Sequence, residues 1–255
     1  MDIFKWLAII GALAWLPHLI KIIKEYFTKA EVRIICSKSP EIGFSIFGPI
    51  YNTRIAFSTK NKDIVLSNLT AEVSHESGEQ KKFVWQGLVQ NMFHMQYPEI
   101  GRVPAEKESE ILALKVKTTE IEERLVRLQE ISYINKRAEL EQNTAKRIIY
   151  LKENENFSED TIFASDEMKE LISFIKHSQF WKSGNYKVKF TIESPESFSL
   201  LDNEYKFTLS PVDIDQLNKN KEMIEVYYRE SFRNTKLEES DLHFNWINPN
   251  LVKET

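Results

Sequence analysis

The chain has 255 residues, 42% hydrophobic and 28% charged, enough for a large domain with an apolar core and unlike a disordered or low-complexity segment. A formal net charge of −4 lacks the basic excess of a nucleic-acid-binding surface, so no nucleic acid is expected as a partner. Cys36 is the single cysteine, which excludes an intrachain disulfide and leans toward a reducing compartment.

Residues 1–29 read as a membrane helix and an amphipathic extension. The run from Trp6 to Pro17 is uninterrupted by charge. Leu19, Ile20, Ile22 and Ile23 prolong it toward the roughly 20 residues that a bilayer core requires. The expected anchoring side chains are Trp6, Leu7, Ile9, Ile10, Leu13, Trp15 and Leu16, with Lys5 and Lys21 snorkelling to the two interfaces. A cleaved signal peptide would fit the apolar length, but Leu16-Pro17-His18-Leu19 offers no small-x-small site. A buried soluble helix and a helix lying flat in the interface are the other readings. From His18 onward His18, Lys21, Glu25 and Lys29 share one face, while Leu19, Ile20, Ile23, Tyr26 and Phe27 lie largely on the other. Lys21, Lys24, Lys29 and Arg33 follow the apolar run and only Lys5 precedes it, so the positive-inside rule places the following domain in the cytoplasm, single-pass. The triplets Asn68-Leu69-Thr70 and Asn156-Phe157-Ser158 match a glycosylation acceptor and point the other way, but such triplets arise readily by chance. Ala8, Gly11 and Ala12 form a small-residue face that permits close helix–helix packing and self-association.

Strand signals follow. Glu31–Cys36 alternates weakly, Ile42, Phe44 and Ile46 share a face before Gly48-Pro49, and Arg54–Thr59 ends at a polar turn. Ile64–His75 alternates with a break at Asn68, Glu76–Glu79 reads as a hairpin turn, and Lys82–Gln86 returns. Leu88–Arg102 lacks a period and carries Pro98, with Pro104 just beyond, so a loop is expected there. Glu110–Lys117 is a strand with Leu112, Leu114 and Val116 inward. Thr119 and Glu122 look like a capping box, and Ile121, Leu125, Leu128 and Ile131 then fall at helical spacing, predicting a helix toward Lys152. A second helix carries Met168, Leu171, Ile172 and Ile175 on one face. Strands resume at Tyr186–Ile192 and Tyr205–Ser210, and a last helix covers about Asp213–Phe232.

The fold class expected is mainly β: an immunoglobulin-like antiparallel β-sandwich (30–118 and 183–210) interrupted by two helices (119–182), followed by a C-terminal helix and tail (211–255). In the tail, Phe244, Trp246 and Ile247 are candidate partner contacts, with packing onto the domain itself as the default.

Nothing in the chain forms a catalytic or ligand motif. The histidines His18, His75, His94, His177 and His243 have no metal-ligand spacing, and there is neither a Walker A motif nor a nucleophile elbow. His75-Glu76-Ser77 holds hydrolase residue types, but adjacency in a turn is no triad. No cofactor and no enzymatic activity are expected. The reading is a membrane-anchored cytoplasmic binding or scaffolding protein, whose partners are membrane lipid and another protein, or a second copy. The alternative is a membrane effector, as in a bacterial defence system, whose β-rich domain senses a ligand or partner and whose clustered helices disturb the bilayer.

Overall fold

The computed structural model describes residues 15–23, 27–97, 101–109, 113–154, 156–233 and 242–254, with only the backbone described for 88–97 and 101–109. Helix α1, described over residues 15–23, precedes a strand-rich domain. The first strands are β1 (Ala30–Cys36), β2 (Glu41–Ser45), β3 (Gly48–Lys60), β4 (Ile64–Leu66) and β5 (Asn68–His75). They are followed by β6 (Gln80–Tyr97), β7 (Gly101–Ser109), β8 (Leu114–Val116) and β9 (Glu122–Glu130). Helices α2 (Ile131–Glu153), α3 (Glu159–Phe163) and α4 (Asp166–His177) come next. Strands β10 (Gly184–Glu193), β11 (Phe198–Leu201) and β12 (Glu204–Leu209), helix α5 (Pro211–Arg233), and strands β13 (Trp246–Ile247) and β14 (Val252–Lys253) complete the order.

The mainly β expectation holds, but the strands do not split into two stacked sheets. One sheet runs β11-β1-β3-β9-β6-β5-β10-β12-β14, with β2, β7 and β13 branching from it. Strands β3 and β10 are four steps apart, about 19 Å if the sheet were flat. Yet the Tyr51 ring of β3 lies 6.3 Å from Phe190 of β10 and 6.1 Å from Phe207 of β12. The sheet therefore curls around its apolar face. The register shift between Trp85 and Gly87, where β6 meets β9, supplies one bend.

Strict alternation explains which face turns inward. In β10, Tyr186, Val188, Phe190 and Ile192 are buried, and Lys187, Lys189, Thr191 and Glu193 are exposed. In β12, Tyr205, Phe207 and Leu209 repeat the pattern. The helices cover the end where β3 begins: Trp181, in the segment after α4, stacks on Phe83 at 5.7 Å and donates its indole N–H to the Gly43 carbonyl at 2.9 Å. At the end where β3 finishes, Ile64 and Leu66 of β4 and Leu114 and Val116 of β8 are buried as a second, two-stranded sheet.

The curled sheet leaves a seam between β1 and β12, and three devices close it. Strand β11 connects β10 to β12 in the chain, yet it pairs in parallel with β1. The Tyr205 hydroxyl of β12 donates to the Ile34 carbonyl at 2.9 Å and accepts the Cys36 N–H at 3.3 Å. The C-terminal segment leaves β2, bonds the Lys38 carbonyl through the Leu251 N–H at 2.7 Å, and ends as β14 on β12. Asp202 ties the same region together, 3.2 Å from Arg33 of β1 and 2.7 Å from Lys253 of β14.

Two sequence expectations are corrected here. The helix expected from Thr119 is two elements, because residues 122–130 are central strand β9 between β3 and β6. The segment carries both periods, and burial decides between them: Val126 and Leu128 alternate into the core, whereas Ile121 is 66% exposed. The helix starts at Ile131, capped by the buried Glu130 carboxylate, which accepts the N–H groups of Ser132 and Tyr133 at 3.0 and 2.7 Å. The loop expected over Leu88–Arg102 is largely a hairpin, since β6 continues to Tyr97 and β7 returns along it. Pro104 is accommodated because β7 pairs with β6 alone and is an edge strand.

The second helix and the last helix match their sequence readings. Met168, Leu171, Ile172 and Ile175 are the buried face of α4. Helix α5 begins at Pro211, where a missing N–H costs nothing, and Ser210 and Asp213 cap each other reciprocally. As to the membrane helix, no helix among the described residues is long and apolar enough to cross a membrane. The part of it that is described, α1, is short, and residues 1–14 lie outside the described residues.

Candidate functional site

Four features were open to function, and the structure treats them differently. The first is α1. Trp15, Leu16, Leu19, Ile20, Ile22, Ile23 and Phe27 are all exposed, between 48% and 75%. A soluble domain normally turns such a run inward. Here no side of α1 is buried on the curled sheet. His18 is exposed beside Trp15, their rings 6.0 Å apart. Of the expected anchor residues, Trp6, Leu7, Ile9, Ile10 and Leu13 lie outside the described residues, as does the Ala8, Gly11 and Ala12 face on which the effector reading rests.

The second is the His75-Glu76-Ser77 turn. His75 is buried at the end of β5, and its Nδ1 lies 2.8 Å from Ser77 Oγ. Its Nε2 lies 3.1 Å from the Ser183 carbonyl, which can only accept, so Nε2 carries the proton and Nδ1 is the acceptor. The same Nδ1 also receives the Ser77 backbone N–H at 3.2 Å. Glu76 is turned toward Asn185, 2.7 Å away, and takes no part in a relay with His75. The imidazole thus closes the β5–β6 turn, where Gly78 adopts φ +89, and its two nitrogens are used up in doing so. This is turn chemistry of the kind Asx residues perform, with histidine in their place.

The third is the aromatic tail. Ile247 is buried in β13, Phe244 is packed against the core, and Trp246 keeps 39% exposure while its ring covers Gly43. A Cβ at Gly43 would come within 2.3 Å of that ring, so the glycine is what lets the indole lie on β2. Asn220, fully buried in α5, locks the tail. Its Nδ2 donates to the carbonyls of Phe44 and Asn245 at 2.8 and 2.9 Å, and its Oδ1 accepts the Asn245 N–H at 2.7 Å. Two of the three expected partner contacts are therefore used inside the fold, and Trp246 alone presents a large surface.

The fourth was not singled out from sequence. The loop after β1 with Ser37 and Ser39, Glu41 at the start of β2, and the strand segment Asn52–Arg54 enclose a notch of about 130 Å³, with Leu125 of β9 as its single apolar wall. Asn52 is 6% exposed and its amide oxygen has no hydrogen-bond partner. Ser37 and Thr53 face each other there at 3.4 Å, a long contact for two hydroxyls. The available signal was Asn52-Thr53, a polar pair in mid-strand where one residue must face inward.

Among the described residues no group of three His, Cys, Asp or Glu side chains could hold a metal ion. Burial pushes the Cys36 thiol up to about 12, against the opposing pull of the Tyr205 hydroxyl, so it is a filler at the seam and not a nucleophile. Comparison with protein-family models, with curated proteins and with solved structures finds no match to this chain.

Proposed function

We propose that this chain is a membrane-tethered binding or scaffolding module, in which α1 and the apolar residues before it sit in lipid and hold the curled sheet on the cytoplasmic side. The observation that carries the reading is the exposure of every large apolar side chain of α1. At about 1.5–3 kcal/mol for each fully buried side chain, moving these partly exposed groups into lipid is worth on the order of 10 kcal/mol. The lysine asymmetry around the apolar run sets the orientation. The module acts by binding another protein, and catalysis forms no part of the proposal.

The test is fractionation of cells that express the full chain, with an alkaline carbonate wash and protease added from outside. The parent chain should stay in the washed membrane pellet and resist external protease. The triple variant Leu16→Lys, Leu19→Lys, Ile20→Lys should move to the supernatant with an unchanged circular dichroism spectrum. A parent chain that is soluble without detergent refutes the tether. Cleavage of the strand-rich domain by external protease refutes the orientation.

A further inference from the structure

We propose that the notch formed by the loop after β1, the start of β2 and β3 binds a small α-amino acid, its ammonium held by Glu41 and Asn52 and its carboxylate by Arg54. The lining is polar except for Leu125, and it carries one charge of each sign. A metal cation is disfavoured, because the notch offers a single carboxylate with a guanidinium beside it. A simple anion meets Glu41, and a simple cation meets Arg54. A zwitterion satisfies both.

Size narrows the class further. A cavity of about 150 Å³ admits a benzene ring. The notch, at about 130 Å³, then admits about five or six non-hydrogen atoms, which is glycine or alanine and less than a sugar ring with its hydroxyls. Asn52 supplies the independent pointer. A buried amide oxygen without a partner costs free energy until a donor meets it, and an ammonium is the donor the neighbouring Glu41 also favours. Arg54 is free to turn to a carboxylate. Its contact with Glu123, at 3.5 Å between half-exposed side chains, is a weak surface pair.

The experiment uses the full chain in mild detergent and does not depend on the membrane reading. Thermal unfolding is followed with glycine, L-alanine, glycine betaine, acetate or methylamine, and binding is measured by equilibrium dialysis of radiolabelled glycine. Glycine and L-alanine should raise the unfolding midpoint by about 3 °C at roughly ten times their dissociation constant. Acetate and methylamine should not, since each satisfies one end only. Betaine carries both charges but has no N–H to give, so it should also fail. Arg54→Gln and Glu41→Gln, both exposed positions, should fold as the parent does and weaken glycine binding about tenfold or more. Absence of glycine retention at millimolar concentration overturns the proposal. Equal retention by both variants, or a midpoint shift that betaine reproduces, overturns it as well.

Discussion

Replacing Asn220 by alanine should undock the C-terminal tail and cost about 3–5 kcal/mol. The magnitude follows from what the side chain serves. Phe44 stands opposite Pro49 in the β2–β3 register, and a proline has no N–H to give. The Asn220 amide supplies the donor instead, at 2.8 Å, and at the same time accepts from the Asn245 backbone at 2.7 Å. Truncation leaves that carbonyl and that N–H without partners, at about 1–3 kcal/mol each. A cavity in a fully buried position adds to this. Against a total stability of about 5–15 kcal/mol the loss is large, and for a chain of this size it lowers the midpoint by about 10 °C. Urea and thermal unfolding measure the cost, and hydrogen exchange over residues 242–254 locates it. Asn220→Asp should be no better, because its carboxylate would face the carbonyls of Phe44 and Asn245. A cost below about 1 kcal/mol, or tail amides as protected as in the parent chain, would refute the assignment of Asn220 as the clamp.

Two further outcomes concern the seam. Cys36, raised to about 12 by burial, should react with iodoacetamide at pH 8 far more slowly in the folded chain than in urea. Equal rates in the folded and unfolded chain would show that the seam is not closed. Asp202 has its carboxyl held below the usual carboxylate range, chiefly by its hydrogen bond from Lys253, with Arg33 adding to it. A folded-state pKa below the unfolded one contributes stability above the unfolded carboxylate range, and that contribution is lost as pH falls through the folded pKa. Asp202→Asn should therefore be less stable than the parent at pH 7 and converge with it as pH falls through the folded-state pKa. A difference that does not change with pH would mean that charge is irrelevant at this position.

Period-2 patterning was strong enough to be read directly where one face of a strand is buried and the other wet, as in β10, where Tyr186, Val188, Phe190 and Ile192 alternate with Lys187, Lys189, Thr191 and Glu193. Helical spacing served as well for α4, whose four apolar residues all lie on the buried side. Patterning failed at residues 122–130, which fit both periods. It also failed over Leu88–Arg102, where an edge hairpin needs no strict alternation and tolerates Pro104. Of the candidate residues, Ile247 was legible as apolar, and packing onto the domain was the default reading for it. The notch escaped notice because Ser37, Glu41, Asn52 and Arg54 are unremarkable where they stand in the sequence.

The sequence by itself determined the mainly β class, the inward faces of cleanly alternating strands such as β10, the buried face of α4, the extent of α5 and the unusual apolar stretch that ends in α1. These rest on local periodicity and composition, and each residue carries its share. The tertiary structure alone decided that the sheet curls into one nearly closed wall, that β11 reaches back to β1, and that the tail is clamped by Asn220 and belted across the seam. Such features depend on partners more than 160 residues apart, such as Ile34 and Tyr205, and on which backbone carbonyls the strands leave without a donor. No local pattern encodes a pairing at that distance. It emerges only when burial selects among strands that are equally regular on their own.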